Sequence, residues 1–361
     1  MSTVDLAFPR PVHLSHSSAR DRLRTRQRQR SPHRRHPAPT SAHPHHLEVS
    51  YVKHRHTLAG IAAAITAAAA LIATPASASN AVAPQIIGGA PATGYGFSTS
   101  LQILNRDDPN WHTCGGTLVA ARFVATNAHC VDNMPAGTEA ATSTRFAAWA
   151  NAAPHAIDLS DPSIYHLRLG STDRLHGGVV RHVTRIVTYP SWAWGQPGPW
   201  GEIGDLALLQ LDRPVTTVRP APILPARTTM PAREIGWGIT TQPDQWDENT
   251  PSPATLSQID APLAPASACA EAGIGAGELC LGVPASDGGV CLGDSGSPAL
   301  QRIGRSWGVI GSTSRLGGER CGVPNVYTDL SNPRYLAWMI RTIYHLPAGA
   351  PTAGKSLATA P

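Results

Sequence analysis

The sequence predicts an all-β body closed by a single terminal helix. Glycine and proline each occur 33 times, which favours many turns and short strands over long helices. From residue 86 to about 330, runs of β-branched or alternating residues (116–124, 165–169, 179–188, 206–211 and 307–310) are separated by Gly, Pro, Asp and Asn. That is the pattern of an antiparallel barrel or sandwich. One stretch breaks it: residues 333–345 (PRYLAWMIRTIYH) repeat apolar side chains at helical spacing.

Taken in order, residues 1–51 mix arginine runs with prolines and are expected to be disordered, and nine histidines fall before residue 57. The histidines show no ligand spacing. The apolar run 58–73 then follows Lys53, His54, Arg55 and His56 and precedes Ala76-Ser77-Ala78. Basic, apolar and then small is the order of a secretory signal peptide, here 52–78 with cleavage after Ala78. The run is mostly alanine and shorter than the roughly 20 strongly apolar residues of a membrane span, so no stable membrane anchor is expected. A leader this long ahead of a signal peptide points to a native start at Val52. At the other end, Asn332 is placed as N-cap and Pro333 as first helical residue of a helix over about 333–346 that stops before Pro347. Residues 347–361 are expected to be a flexible tail.

The formal charge of +5 misleads until it is located. Residues 1–85 hold 11 of the 29 Lys and Arg and 3 of the 24 Asp and Glu, which leaves 18 basic against 21 acidic residues, a net of −3, for 86–361. The folded part is mildly acidic, and a nucleic-acid partner loses its support. All six cysteines, Cys114, Cys130, Cys269, Cys280, Cys291 and Cys321, lie after residue 86, and none forms a Cys-x-x-Cys pair. With an export signal upstream, an even number suits three disulfides in an oxidising compartment, and the protein is expected to be secreted and extracellular.

Cleaving an amide near neutral pH needs a nucleophile, a base, a group that orients the base, and donors for the developing oxyanion. Gly293-Asp294-Ser295-Gly296 puts a serine in a Gly-flanked turn, where amide N–H groups, those of Gly293 and Ser295, can converge on one oxygen. Alone, the motif reads as an ordinary Asp-Ser turn. His129 ends a β run beside Cys130, which can be tied back to the strand start at Cys114. Asp205 stands at the mouth of a hydrophobic strand, Leu206-Ala-Leu-Leu-Gln-Leu211, where a buried carboxylate needs a partner.

The Ala128-His129-Cys130, Asp205-Leu-Ala-Leu-Leu and Gly293-Asp294-Ser295-Gly296 segments occur in the order His, Asp, Ser. In that order the chain resembles the chymotrypsin/trypsin-like serine proteases, of the secreted, bacterial type. The likeness extends to Ile86-Ile87-Gly88-Gly89, Gly236-Trp237-Gly238 and Pro324-Asn325-Val326-Tyr327-Thr328, and covers roughly 86–346. It implies two packed six-stranded antiparallel β-barrels, about 86–212 and 213–331, with a C-terminal α-helix. It also implies a catalytic triad of His129, Asp205 and Ser295 between them, and disulfides Cys114–Cys130, Cys269–Cys280 and Cys291–Cys321. By the same resemblance, removal of a short propeptide, 79–85, frees the amino group of Ile86 to pair with Asp294, so that the protein is made as a zymogen. The residue before that cut is Gln85, which makes activation by a trypsin-like enzyme doubtful.

The resemblance also implies a specificity pocket, formed by Gly289, Val290, Ser314 and Asn325. Gly289 stands where trypsins carry aspartate, so trypsin specificity is not expected; a narrower, partly polar pocket for small or medium neutral side chains is. Asp287 reads as a solvated loop residue. Ser297 replaces a frequent glycine after the nucleophile and fits if its φ is negative. Thr313 replaces a large side chain on the edge where a substrate would add as a strand. An insertion over 131–165, with Trp149, should overhang the cleft near His129. Trp192, Trp194 and Trp200 either wall substrate subsites or anchor their loop. Asp173 is the only acid in the loop after Gly170, so no calcium site is expected, and neither metal nor cofactor is needed. The reading is a monomeric endopeptidase acting on protein or peptide substrates through an acyl-enzyme. The alternative is a catalytically silent relative that acts by binding.

Overall fold

The computed structural model describes residues 86–105, 107–134, 157–242, 251–318, 320–347, 352 and 355–357. The stretches read above as basic leader, signal peptide and propeptide lie outside the described residues, as does Trp149. Six strands close a barrel in the order β2-β3-β4-β7-β6-β5. They are β2 (Ser98–Asn105), β3 (Asp108–Ala120), β4 (Phe123–Thr126), β5 (His166–Leu169), β6 (Val179–Thr188) and β7 (Ala207–Leu211). The sequence dictates which face goes inward. In β5, His-Leu-Arg-Leu, the two leucines are buried and the polar pair is half-buried, as a period of two requires. In β4 every residue is buried, and it reads as an unbroken apolar run ending in threonine.

The second half is an eight-stranded sheet ordered β1-β9-β8-β12-β13-β14-β11-β10. Its strands are β1 (Ala90–Pro91), β8 (Ala232–Gly236), β9 (Ser257–Ala261), β10 (Leu263–Ala264), β11 (Glu278–Leu281), β12 (Pro298–Ile303), β13 (Ser306–Leu316) and β14 (Asn325–Asp329). The end strands β1 and β10 have only two residues each, which leaves the six longer strands that the resemblance implies. Only the first half is a closed ring; the second is an open sheet, a half-barrel. The largest core cluster joins Val119, Phe123 and Leu208 of the first half to Trp237, Leu300 and Val309 of the second. The two halves therefore share a core at their junction.

Helix α1 (Pro333–Ile343) closes the body. Asn332 caps it, its side chain accepting from Arg334 N at 3.0 Å, and Tyr335, Trp338, Met339, Ile340 and Ile343 are buried. Leu357 lies in the stretch expected to be a flexible tail, yet it is buried in the same core cluster. Tyr344 Oη donates to Ser356 O at 2.9 Å, and the Lys355 ammonium lies 4.8 Å from the Tyr344 ring centre. A single leucine in a polar, Gly- and Pro-rich stretch suffices to hold it when an apolar seat is near. The cysteines pair as Cys114–Cys130, Cys269–Cys280 and Cys291–Cys321.

Candidate active site

His129 sits in a single 3-10 turn (Ala128–Cys130) directly after β4, and Asp205 lies just before β7. The two strands pair with Thr126 opposite Ala207, so residues 76 apart in sequence meet at one barrel rim. Asp205 Oδ2 lies 2.8 Å from His129 Nδ1, and Asp205 Oδ1 accepts from the His129 backbone N–H at 3.0 Å. A carboxylate oxygen only accepts, so the imidazole proton is on Nδ1 and Nε2 is left basic. Burial pushes the Asp205 carboxyl up, but the His129 ring and hydrogen bonds from His129 and Ser314 outweigh it and hold it below the usual carboxylate range.

Three further residues grip Asp205, none of them in the roles read from the sequence. Asn127 is fully buried; its Nδ2 donates to Asp205 O at 2.8 Å and to Oδ2 at 3.0 Å, and its Oδ1 accepts from Ser312 Oγ at 2.6 Å. Turning that amide over would set oxygen against oxygen, so its orientation is fixed by its neighbours. Thr328 Oγ1 donates to Asp205 O at 2.8 Å. Ser314, expected in the wall of the specificity pocket, instead donates to Asp205 Oδ2 at 2.6 Å. The cause is a register shift in the pairing of β13 with β14 between Thr313 and Arg315, which counting along the sequence does not reveal. Arg315, in a bidentate pair with Glu278 at 2.6 and 2.8 Å, donates on to Ser314 Oγ at 3.2 Å.

Ser295 is half-buried in the turn before β12. Its carbonyl accepts from Gly115 N at 2.6 Å, and Gly296 packs on Gly115 O and Thr126 Oγ1, which seats the turn on the rim that carries His129. Among the described residues Ser295 Oγ has no hydrogen-bond partner, and His129 Nε2 lies 3.7 Å from Cys130 Sγ. The backbone N–H groups of Gly293 and Ser295 make no hydrogen bond within the described chain either. Gly293 has a φ of +90°, which favours glycine there. Its carbonyl, an acceptor, lies 2.9 Å from His112 Nε2, so that nitrogen carries the proton and Nδ1 accepts from Ser100 Oγ at 2.8 Å. Burial, with the nearby Arg174 cation, lowers the His112 pKa to about 3 and keeps the ring neutral.

Asp294 is fully buried, accepting from Gly238 N at 2.7 Å and Cys291 N at 2.8 Å. A Cβ on Gly236 or Gly238 would overlap its carboxylate, which explains the glycines either side of Trp237. Burial pushes the carboxyl up to about 7, and its hydrogen-bond partners are amides, with no cation among them. Ile86 is fully buried against Ile259 and Val290, and Gly289 N donates to Ile87 O at 2.9 Å. Asn325 lies beside Gly289, within the second sheet. Asp287 is exposed with a φ of 52°. Ser297 is not among the positive-φ residues, while Thr313 Oγ1 donates to Ser297 O at 2.9 Å and so braces the Ser295 turn. Trp192 and Trp194 donate to Asp132 Oδ2 and Asn133 O at 2.8 and 2.9 Å, holding their loop to the segment after Cys130, while Trp200 is 58% exposed. Cys114, His129 and Cys130 lie close enough to suggest a metal site, but both sulfurs are spent in a disulfide.

Residues 86–339 match the family model described as Trypsin. The chain is 27% identical over 276 residues to a tryptase of Mus musculus, covering 70% of this chain and 87% of that one. It is 29% identical over 251 residues to a vitellin-degrading protease of Bombyx mori, covering 65% of this chain and 78% of that one.

Proposed function

Because the chain belongs to the trypsin family of serine proteases, we propose that it is a secreted endopeptidase, made as a zymogen, that hydrolyses peptide bonds through an acyl-enzyme. The observation that carries the reading is the His129–Asp205 pair, which leaves Nε2 basic beside a serine turn with two unspent amides. Ser295 Oγ attacks the scissile carbonyl as His129 Nε2 takes its proton, and the proton passes to the leaving amine. Asp205 keeps the ring in the working tautomer and supports the imidazolium. The Gly293 and Ser295 amides receive the oxyanion. Water, activated by the same histidine, then releases the acid product. No step calls on a metal or cofactor. The hydrogen bond from Ser295 to His129 forms when substrate closes the site, as catalytic hydrogen bonds often tighten only in the complex.

The zymogen reading rests on a charge argument. Asp294 is buried without a cation, and an ammonium at Ile86 would supply one. The mature chain is proposed to begin at Ile86 and to act outside the cell on proteins or peptides as a monomer. A second reading, a silent relative that acts by binding, draws on the absent Ser295–His129 hydrogen bond. Peptide-library cleavage by protein beginning at Ile86, with Ser295→Ala as control, tests the first reading. Cleavage that disappears in the control is the expected result. No cleavage, together with no labelling by a serine-directed phosphonate, would transfer the proposal to the second.

A further inference from the structure

Neither amide atom of Asn325 has a hydrogen-bond partner, although the residue is fully buried. Buried polar groups are nearly always paired, so a bare donor and a bare acceptor on one side chain ask for a ligand that completes them. No side chain stands at the neighbouring turn: a Cβ on Gly289 would meet Gly322 Cα at 3.5 Å and Asn325 Nδ2 at 3.7 Å, and the φ of +146° at Gly289 disfavours any side chain there. Two residues along β14, on the same face, Tyr327 donates to Glu234 Oε1 at 2.9 Å, and the fully buried Glu234 carboxyl also lies against the Val290 backbone N–H. Burial pushes the Glu234 carboxyl up to about 8, so it offers no fixed negative charge to a cation at neutral pH.

The chemistry of the missing partner is narrow. Asn325 Oδ1 needs a donor and Nδ2 needs an acceptor. An ammonium or guanidinium brings only donors, a carboxylate only acceptors, and an aliphatic chain neither. A hydroxyl brings both on a single atom, whereas a carboxamide brings one of each on two atoms, at the spacing that closes a reciprocal pair. The residue ahead of Ile86 is itself a carboxamide, Gln85.

Building on the protease reading above, we infer that the pocket beside Gly289 and Asn325 selects a glutamine side chain, and that one molecule matures another by cutting the Gln85–Ile86 bond. In that step Ser295 Oγ takes the Gln85 acyl group. The Ile86 nitrogen leaves with the proton carried by His129, and water then frees the Gln85 carboxylate.

Full-length precursor carrying Ser295→Ala cannot cut itself, and it is the substrate for the test. It is incubated with a catalytic amount of protein beginning at Ile86, new N-termini are read by mass spectrometry, and a peptide library varied at the residue before the cut is profiled in parallel. The expected results are a new terminus at Ile86, cleavage after Gln at least tenfold faster than after Glu, Lys or Leu, and at least tenfold slower processing when the precursor also carries Gln85→Glu. Asn325→Asp keeps the size but loses the donor, and should turn the preference from Gln towards Lys or Arg. Should that variant not fold, the library and the Gln85→Glu precursor decide without it. Cleavage with another preference, or equal processing of the Gln85→Glu precursor, overturns this inference and leaves the protease reading standing. No cleavage of any peptide and no phosphonate labelling overturns both.

Discussion

Four hydrogen bonds converge on the two carboxylate oxygens of Asp205: from His129 N, His129 Nδ1, Asn127 Nδ2 and Ser314 Oγ. The carboxylate cannot swing away without breaking several of them, so the tautomer of His129 is set by a locked group. Asn127→Ala removes one charge-assisted bond, and such bonds contribute about 1.5–3 kcal/mol. We expect kcat to fall about tenfold or more with KM little changed, read from steady-state kinetics at saturating substrate. A change confined to KM would show that Asn127 serves binding and not the orientation of Asp205.

A second residue-level prediction concerns pH. In the uncut chain the Asp294 pKa is about 7, against 3.8 unfolded, so the folded state holds that proton more tightly. The stabilisation is fully present below pH 3.8 and is lost as pH rises through 7, at about 1.4 kcal/mol per pH unit. Glu234 acts with the same sign between 4.5 and about 8. His112 acts the other way: its folded pKa of about 3 lies below the unfolded 6.5, so its contribution is complete above 6.5 and is lost as pH falls towards 3. An Ile86 ammonium paired with Asp294 would cancel the Asp294 part alone. Thermal melts at pH 5 and pH 7 should therefore show a smaller loss for protein beginning at Ile86 than for the Ser295→Ala precursor. Equal losses would speak against the ion pair.

At the scale of elements, the placement of His129 depends on a strand end and a clasp. Cys114 and Cys130 are 16 residues apart, and closing a loop of that size stabilises by about 3 kcal/mol in the chain-entropy account. Replacing both by alanine should cost about that much in denaturant titrations and reduce kcat further, since the turn that holds His129 is also released. An unchanged kcat in the folded variant would show that β4 and Asp205 hold the turn unaided. The same scale marks what the sequence made legible. The ends of β4 and β7 were readable because apolar runs stop there at His129 and Asp205. The capped helix was readable because Asn332 and Pro333 announce it. The role of Ser314 was not, because a register shift inside β13 is decided by cross-strand packing that leaves no local mark. Asn127 leaves no mark in the sequence for a related reason: beside a histidine and a cysteine it looks like filler, and only the folded chain brings Ser312 and Thr328 against it.

For the whole molecule, the resemblance foresaw two halves with the site between them, and the structure places His129 and Asp205 on the ring and the Ser295 turn on the open sheet. It did not foresee that the second half remains an open sheet of eight strands, because two-residue edge strands carry no periodicity to read. Nor did composition foresee the seat of Leu357, since one apolar residue among alanines, glycines and prolines is invisible to any windowed reading. That seat has a consequence for persistence. An exopeptidase working inward from the carboxyl end must, at Leu357, first pull a side chain out of the principal core. For an enzyme proposed to act outside the cell, that anchored leucine acts as a doorstop that makes slow trimming stall before it reaches the closing helix.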